Sequence, residues 1–265
     1  MREEPLGVIA KASALLDRLA EEGESTAARL SNALDEPRTT VYRLIRALEG
    51  AGFVETGPRR GTYRLGLKLF RLGSAVVARF DERQAALPTM EELHDRTGET
   101  VFLCVRRGRE AVCIERVEGS QVVSLALRLG GSLPLHAGAA PRVLLAAEPR
   151  SFWEDYCAGG DLEALTATTP GTRDDLFAEL ERVRRLGYSV SDEDVTRGIA
   201  ALGAPVRNHR GAVIAALSIS GVRSAILGAE AEAEAEAMAQ LVISAADAVS
   251  RSLGFDPTHT ASAHD

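Results

Sequence analysis

Polar and basic side chains recur along one face of a predicted helix near residue 40. Thr39, Tyr42, Arg43 and Arg46 follow helical spacing, and apolar residues form a second stripe with the same period. Arginine, threonine and tyrosine donate hydrogen bonds to phosphates and base edges, and arginine pairs especially well with guanine. The polar stripe therefore suits contacts with nucleic acid, although the solvated surface of an ordinary three-helix unit would show the same pattern.

Two further helices precede this one and must position it. Apolar residues between positions 8 and 19 predict the first, and Ser25 or Thr26 can cap a second that buries residues between 27 and 34. Pro37 stands where the first turn of the third helix tolerates proline. Together they form a helix-turn-helix, the geometry that places side chains in the major groove.

A β-hairpin is predicted directly after the third helix. Residues 53–56 and 62–65 have strand patterns, and the Gly-Pro-Arg-Arg-Gly run between them predicts a turn tipped by Arg59 and Arg60. Such a hairpin is a wing whose arginines can meet phosphates or the minor groove. We interpret the segment as a winged helix-turn-helix that binds double-stranded DNA. Its candidate DNA contacts are Arg38, Thr39, Thr40, Tyr42, Arg43, Arg46, Arg59 and Arg60.

Composition and charge agree with this interpretation. The 265 residues carry a net charge of −7, yet residues 38–64 contain six arginines and only two glutamates. A basic segment on an acidic protein is typical of a polyanion-binding surface. The length favours two domains, and the 45% hydrophobic and 26% charged residues are typical of a globular protein.

The chain lacks the sequence features of membrane, secreted and zinc proteins. Its apolar runs fall short of the ~20 residues that span a bilayer, and its first residues lack a secretory apolar segment. Cys104, Cys113 and Cys157 are too few for a disulfide framework and do not have zinc-ligand spacing. We expect a cytoplasmic protein with reduced thiols, no metal and no membrane partner.

The remaining two thirds of the chain predict a linker helix and an α+β domain. An amphipathic helix over 67–82 could pair its apolar face with a second subunit. Strands are predicted at 101–105, 112–117, 122–129, 188–191, 199–206 and 212–220, and helices at 137–148, 174–186 and 229–253. This mixture predicts one antiparallel sheet with flanking helices. The predicted divisions are 1–66 (DNA-binding), 67–82 (linker), 83–255 (effector-binding and oligomerisation) and 256–265 (disordered tail).

The sequence contains no motif that would bring catalytic side chains together. The Ser218–Gly221 segment lacks the first glycine of a nucleophile elbow. His94, His136 and His209 stand far apart, and no glycine-rich phosphate loop precedes a helix. We therefore expect no enzyme activity and no cofactor.

A ligand cavity is predicted instead. Ser218 and Ser220 lie two apart on one face of an apolar strand. Gly138, Ala139 and Ala140 leave space at a helix start, where free N–H groups suit a carboxylate. Apolar walls with a few hydroxyls favour a small or aromatic carboxylic acid.

These features resemble the isocitrate-lyase-regulator (IclR) family of bacterial transcription factors. The resemblance covers about residues 5–253 and rests on an ordered set of segments. They are 8–19, 37–49 (PRTTVYRLIRALE), 52–54 (GFV), 63–67 (YRLGL), 135–137 (LHA), 144–146 (LLA), 187–188 (GY), 204–206 (APV) and 216–221 (ALSISG).

The resemblance implies a GAF/PAS-like antiparallel effector domain and a set of effector contacts. The implied contacts are Ala139, Ala140, Ser218 and Ser220, one position in the 191–193 stretch and one near Ala201. With Gly138, which leaves space beside the helix start, the candidate effector contacts are Gly138, Ala139, Ala140, Ser191, Asp192, Ala201, Ser218 and Ser220. The chain departs from the family at Pro141-Arg142, where Gly-Lys is usual, and at Ser191, where an acidic residue is common.

The resemblance also implies a one-component regulator. We expect a repressor, although the family includes activators, that acts on operator DNA as a homodimer or tetramer and answers to a small organic acid. Two alternatives remain at this point. One is an enzyme with the N-terminal helices as an interaction module, and the other is a DNA-binding protein without a ligand.

Overall fold

The computed structural model describes residues 5–77, 81–119, 127–160, 162–228 and 232–256. The chain divides into two compact units, residues 1–79 and residues 80–265. Each unit has its own hydrophobic core. The predicted disordered tail lies outside the described residues, apart from Asp256.

The N-terminal unit combines helices with a small antiparallel sheet. Its elements are α1 (Pro5–Glu22), β1 (Ser25–Thr26), α2 (Ala27–Ala33), α3 (Arg38–Gly50), β2 (Val54–Thr56), β3 (Thr62–Leu65) and α4 (Leu67–Val77). The sheet has the order β1-β3-β2, with β1 added to the predicted hairpin. Thr26 caps α2 by accepting a hydrogen bond from the Arg29 N–H at 3.3 Å.

The apolar stripes of these helices meet in one core. Leu15 and Leu19 of α1, Leu30 of α2 and Ile45 of α3 are almost completely buried. Because each helix buries only one stripe, its other face remains in solvent. The winged helix-turn-helix predicted from the sequence is confirmed.

The C-terminal unit is built on a six-stranded antiparallel sheet. Its strands are β4 (Thr100–Arg107), β5 (Glu110–Val117), β6 (Ser132–Pro134), β7 (Ser189–Asp192), β8 (Ile199–Arg207) and β9 (Val213–Val222). Their spatial order is β6-β5-β4-β9-β8-β7. The central pair β4 and β9 places Phe102 opposite Ser218.

Helices cover both faces of this sheet, so the described part of the unit has three layers. These helices are α5 (Asp81–Thr97), α6 (Ala139–Ala146), α7 (Arg150–Cys157), α8 (Arg173–Leu186), α9 (Arg223–Leu227) and α10 (Glu232–Ser252). Helices α5, α9 and α10 pack on one face, and α6, α7 and α8 on the other. The predicted α+β fold with one antiparallel sheet is confirmed.

Several elements differ from the sequence expectations. Helices α5, α7 and α9 and strands β1 and β6 were not predicted, because they are short or lack a clear apolar period. The predicted linker helix 67–82 corresponds to α4 and the start of α5, with residues 78–80 outside the described part. Most of the predicted strand 122–129 also lies outside it, and residues 127–128 have no regular structure.

Candidate functional sites: a nucleic-acid interface and a cavity

Helix α3 exposes its polar stripe. Arg38, Thr39, Arg43 and Arg46 are exposed, and 49% of Tyr42 is accessible to solvent. Thr40 is half-buried, whereas the apolar stripe of the same helix is buried in the core. A groove-binding helix requires this division between an inward apolar face and an outward hydrogen-bonding face.

The hairpin after α3 presents its two arginines at the turn. The Thr62 hydroxyl donates to the Arg59 carbonyl at 2.7 Å, and the Gly57 N–H donates to the Thr62 carbonyl at 2.8 Å. These bonds close the turn and leave Arg59 and Arg60 exposed. Arg59 lies 3.2 Å from the carboxylate of Glu24, so one wing arginine forms an ion pair inside the unit.

The C-terminal unit contains a cavity between the sheet and the start of α6. About 480 Å³ of space without protein atoms, open solvent included, lies within it and at its mouth. Its lining residues are Phe102, Leu127, Leu133, Gly138, Ala139, Ala140, Pro141, Ser191, Val195, Thr196, Ile199, Ala201, Ser218 and Ser220. The wall is mainly apolar and its polar side chains are hydroxyls.

Two glycines bring the start of α6 against the sheet. Gly138 has φ +95°, which side-chain-bearing residues rarely adopt. At Gly203 of β8, a Cβ would lie only 3.0 Å from the backbone of Ala139 and Ala140. The first N–H groups of α6, those of Ala139 and Ala140, have no partner within the helix. Because Pro141 has no N–H, these two are the donors that α6 offers to a ligand.

The two predicted serines differ in their hydrogen bonding. The Ser220 hydroxyl donates to the Ala200 carbonyl at 3.0 Å. Ser218 is only 4% exposed and lines the cavity, and its hydroxyl has no hydrogen-bond partner among the residues that the structure describes. It stands opposite Gly203 in the sheet, directly below the start of α6. The Ser218 hydroxyl is in contact with the open space of the cavity, so it can donate a hydrogen bond to a polar ligand atom there.

Seven of the eight predicted effector residues line the cavity, and Asp192 does not. Asp192 is paired with Arg223 through two hydrogen bonds of 2.6 and 2.8 Å on the outside of the unit. Ser191, its neighbour in β7, points inward and donates to the buried carboxylate of Asp194. The alternation of side chains along the strand explains the difference.

The sequence did not predict several wall residues or the charged pair behind them. Phe102, Leu133 and Ile199 come from three different strands and Val195 from the segment between β7 and β8, and nothing in their local pattern distinguishes them from core residues. Arg142 and Asp194 form a buried ion pair behind the wall. A charged residue inside an apolar helix, as at position 142, was the one available signal.

A second buried carboxyl lies on the other side of the sheet. Glu99 is 3% exposed, and burial raises the pKa of its carboxyl group. Its side chain occupies the space that a Cβ at Gly221 would need. Glu99 is not among the residues that line the cavity.

The described residues hold no cluster of histidine, cysteine, aspartate and glutamate that could bind a metal ion. None of the helices in the described ranges is long and apolar enough to cross a membrane. Both ring nitrogens of the buried His136 have hydrogen-bond partners at 2.9 Å, the Tyr156 hydroxyl for Nδ1 and the Glu163 carbonyl for Nε2.

Comparison with known proteins identifies both units. Residues 8–58 match the IclR helix-turn-helix domain, and residues 74–251 match the C-terminal domain of the bacterial transcriptional regulator IclR. The chain belongs to the IclR family. The resemblance inferred from the sequence is thereby confirmed, and the protein is a helix-turn-helix transcriptional regulator and not an enzyme.

Relatives of the IclR family align along nearly the whole chain. The transcriptional regulator KipR of Bacillus subtilis (strain 168) is 33% identical over 247 residues, which are 93% of this chain and 97% of KipR. The transcriptional repressor AllR of Salmonella typhi is 33% identical over 235 residues, 89% of this chain and 85% of AllR. An IclR homolog from Microbacterium hydrocarbonoxydans, solved in complex with 4-hydroxybenzoate, is 25% identical with a TM-score of 0.78, covering 93% and 98% of the two chains.

Proposed function

We propose that this IclR-family regulator is a repressor whose affinity for operator DNA is changed by a small or aromatic carboxylic acid in the cavity. The observation that carries the ligand part is Ser218 of β9, whose hydroxyl lines the cavity close to the start of α6 and has no partner among the described residues. A carboxylate there would accept hydrogen bonds from Ser218 and from the N–H groups of Ala139 and Ala140. The apolar residues of the cavity wall would pack against the apolar part of the acid.

Binding to DNA would use the exposed stripe of α3 and the wing. Arg43 and Arg46 would reach base edges or phosphates in the major groove, and Arg60 would contact the backbone beside it. Arg38, Thr39, Thr40, Tyr42 and Arg59 complete the proposed DNA contacts. The relationship to AllR, a repressor by name, supports repression.

Two copies of the chain would read a symmetric operator, as homodimer or tetramer. Leu67 and Phe70 of α4 are each 71% exposed, and such apolar side chains favour burial against a second subunit. We propose that α4, within the linker 67–82, transmits the state of the 83–255 effector domain to the 1–66 DNA-binding domain. The acid would act through its different affinities for two arrangements of the dimer.

The proposal is tested by fluorescence anisotropy on the intergenic DNA upstream of the chain's own gene. The protein is titrated at fixed salt, alone and with single members of a panel of small and aromatic monocarboxylic acids that includes 4-hydroxybenzoate. We expect nanomolar-range, sequence-dependent binding and an acid that changes affinity about 5–150-fold. Equal affinity for unrelated DNA would refute the operator part, and indifference to every acid would refute the ligand part.

A further inference from the structure

The carboxylate of Asp194 lies directly behind the cavity wall that Gly138 and Ser191 form. One oxygen, Oδ2, accepts from an Nη of Arg142 and from the Gly138 N–H at 3.3 Å. The other, Oδ1, accepts from the Ser191 hydroxyl. Asp194 is 2% exposed and Arg142 3%. An anion of the protein itself therefore occupies one of the donors at the start of α6.

The remaining donors of Arg142 point to neutral acceptors. They are the carbonyls of His136 and Val190 and the hydroxyl of Ser189. Among the described residues, Asp194 is the carboxylate that the structure pairs with Arg142. The residues that line the cavity carry no charged side chain. The cavity and the pair behind it are thus neutral as a whole.

We propose that Asp194 is a specificity-determining residue: by neutralising Arg142, it restricts the cavity to acids with a single carboxylate. This inference rests on the proposed function. One carboxylate finds Ser218 and the two free N–H groups of α6. A second carboxylate would be desolvated beside a neutral ion pair, with no unpaired cation to compensate its charge, which selects against diacids.

The chain offers a matched control for this role in Asp192. Asp194→Asn and Asp192→Asn each remove one negative charge, two residues apart, by the same chemical change. Only Asp194 borders the cavity wall, because Asp192 pairs with Arg223 on the outside. Any effect of net charge on the whole domain is therefore common to the two variants.

The ligand test compares benzoate with benzene-1,4-dicarboxylate by isothermal titration calorimetry on the full-length proteins. We expect the wild type and the control variant, Asp192→Asn, to bind benzoate more tightly than benzene-1,4-dicarboxylate. In Asp194→Asn the uncompensated Arg142 should shift the ratio of affinities toward the diacid by about tenfold. A ratio in Asp194→Asn equal to that of the wild type would overturn the proposal.

A second test does not depend on the identity of the effector. Asp194→Ala leaves a space beside Arg142 that formate can fill, so formate should raise its melting temperature more than chloride at equal ionic strength. The wild type and Asp192→Ala should not respond. If Asp194→Ala does not fold in chloride, formate should restore its circular dichroism. An absent formate response would overturn the selector role, whereas failure of all acids to alter DNA binding by the wild type would refute only the proposed function.

Discussion

Arg142 of α6 and Asp194, which follows β7, form an ion pair although they lie 52 positions apart in the chain, and each side chain is only 3% exposed. The pair connects the helix that begins at the cavity to the segment that forms its opposite wall. Hydrogen bonds from Arg142, Gly138 and Ser191 to the Asp194 carboxylate compensate the free-energy cost of burying its charge. The pair therefore holds the two walls of the cavity together.

Removing one partner of this pair should destabilise the C-terminal unit. Arg142→Met leaves the Asp194 carboxylate buried without its cation, and we expect a loss of about 3–5 kcal/mol in the free energy of unfolding. Urea denaturation measures this loss. Arg223→Met breaks the exposed pair with Asp192 and should leave the midpoint unchanged within error. Equal effects of the two substitutions would contradict the assignment.

Arg43 should contribute both affinity and sequence preference. Arg43→Ala removes a cation from the exposed stripe of α3, and we expect operator binding to weaken by about 1–3 kcal/mol, with less discrimination at one base position. Anisotropy titrations on the operator and on single-base variants measure both quantities. Arg29→Ala, which removes an exposed arginine from α2, serves as the control. An Arg43→Ala protein with unchanged affinity and preference would show that α3 does not read the operator through this residue.

The Glu24 carboxylate should compete with DNA phosphates for Arg59. Its carboxylate pairs with Arg59 at 3.2 Å, and 82% of the Arg59 side chain is exposed. Glu24→Gln frees that arginine for a phosphate, so we expect tighter binding by up to about 1 kcal/mol and a steeper salt dependence. Glu55→Gln, which releases Arg64 instead, controls for the lost charge. The idea fails if both variants bind DNA with the same affinity and salt slope.

Ser218 and Ser220 should respond differently to the same substitution. Ser218→Ala removes the cavity hydroxyl without a described partner, and we expect an effector acid to bind about tenfold more weakly, a loss in the range of one hydrogen bond. Ser220→Ala removes a hydroxyl that donates to the Ala200 carbonyl, and its effect on ligand affinity should be smaller. Calorimetry measures ligand affinity, and both variants should bind operator normally without ligand. A larger loss of ligand affinity in Ser220→Ala than in Ser218→Ala would indicate that the carboxylate binds at Ser220 and not at Ser218.

Burial of Glu99 should make the stability of the domain depend on pH. Because burial raises the pKa of the carboxyl in the folded state, its protonated form favours folding at low pH, and this contribution is lost as the pH rises through the folded pKa. Glu99→Gln should therefore raise the melting temperature at pH 7–8. The difference should vanish below the carboxyl's ordinary pKa. A variant less stable than the wild type at pH 8 would contradict this.

The N-terminal unit could be predicted almost completely from local pattern. The buried stripe of α3, the capping residue Thr26 and the turn that carries Arg59 and Arg60 all depend on residues close together in the chain. Strand β1 was missed because two residues carry no periodicity, and it exists only through pairing with β3. Helix α5 was missed for a related reason, since its apolar residues are few and its sequence contains Pro88, a residue that usually ends a helix.

The sequence by itself determined the helix-turn-helix, the wing, the antiparallel sheet and most of the small and hydroxyl residues around the cavity, because helical and strand periods are local properties. Only the tertiary structure decided that Ser218 lacks a described partner while Ser220 has one, that Asp192 faces outward, and that Asp194 neutralises Arg142. Hydrogen bonds and charge compensation depend on which distant segments meet. A pattern along the chain does not contain that information.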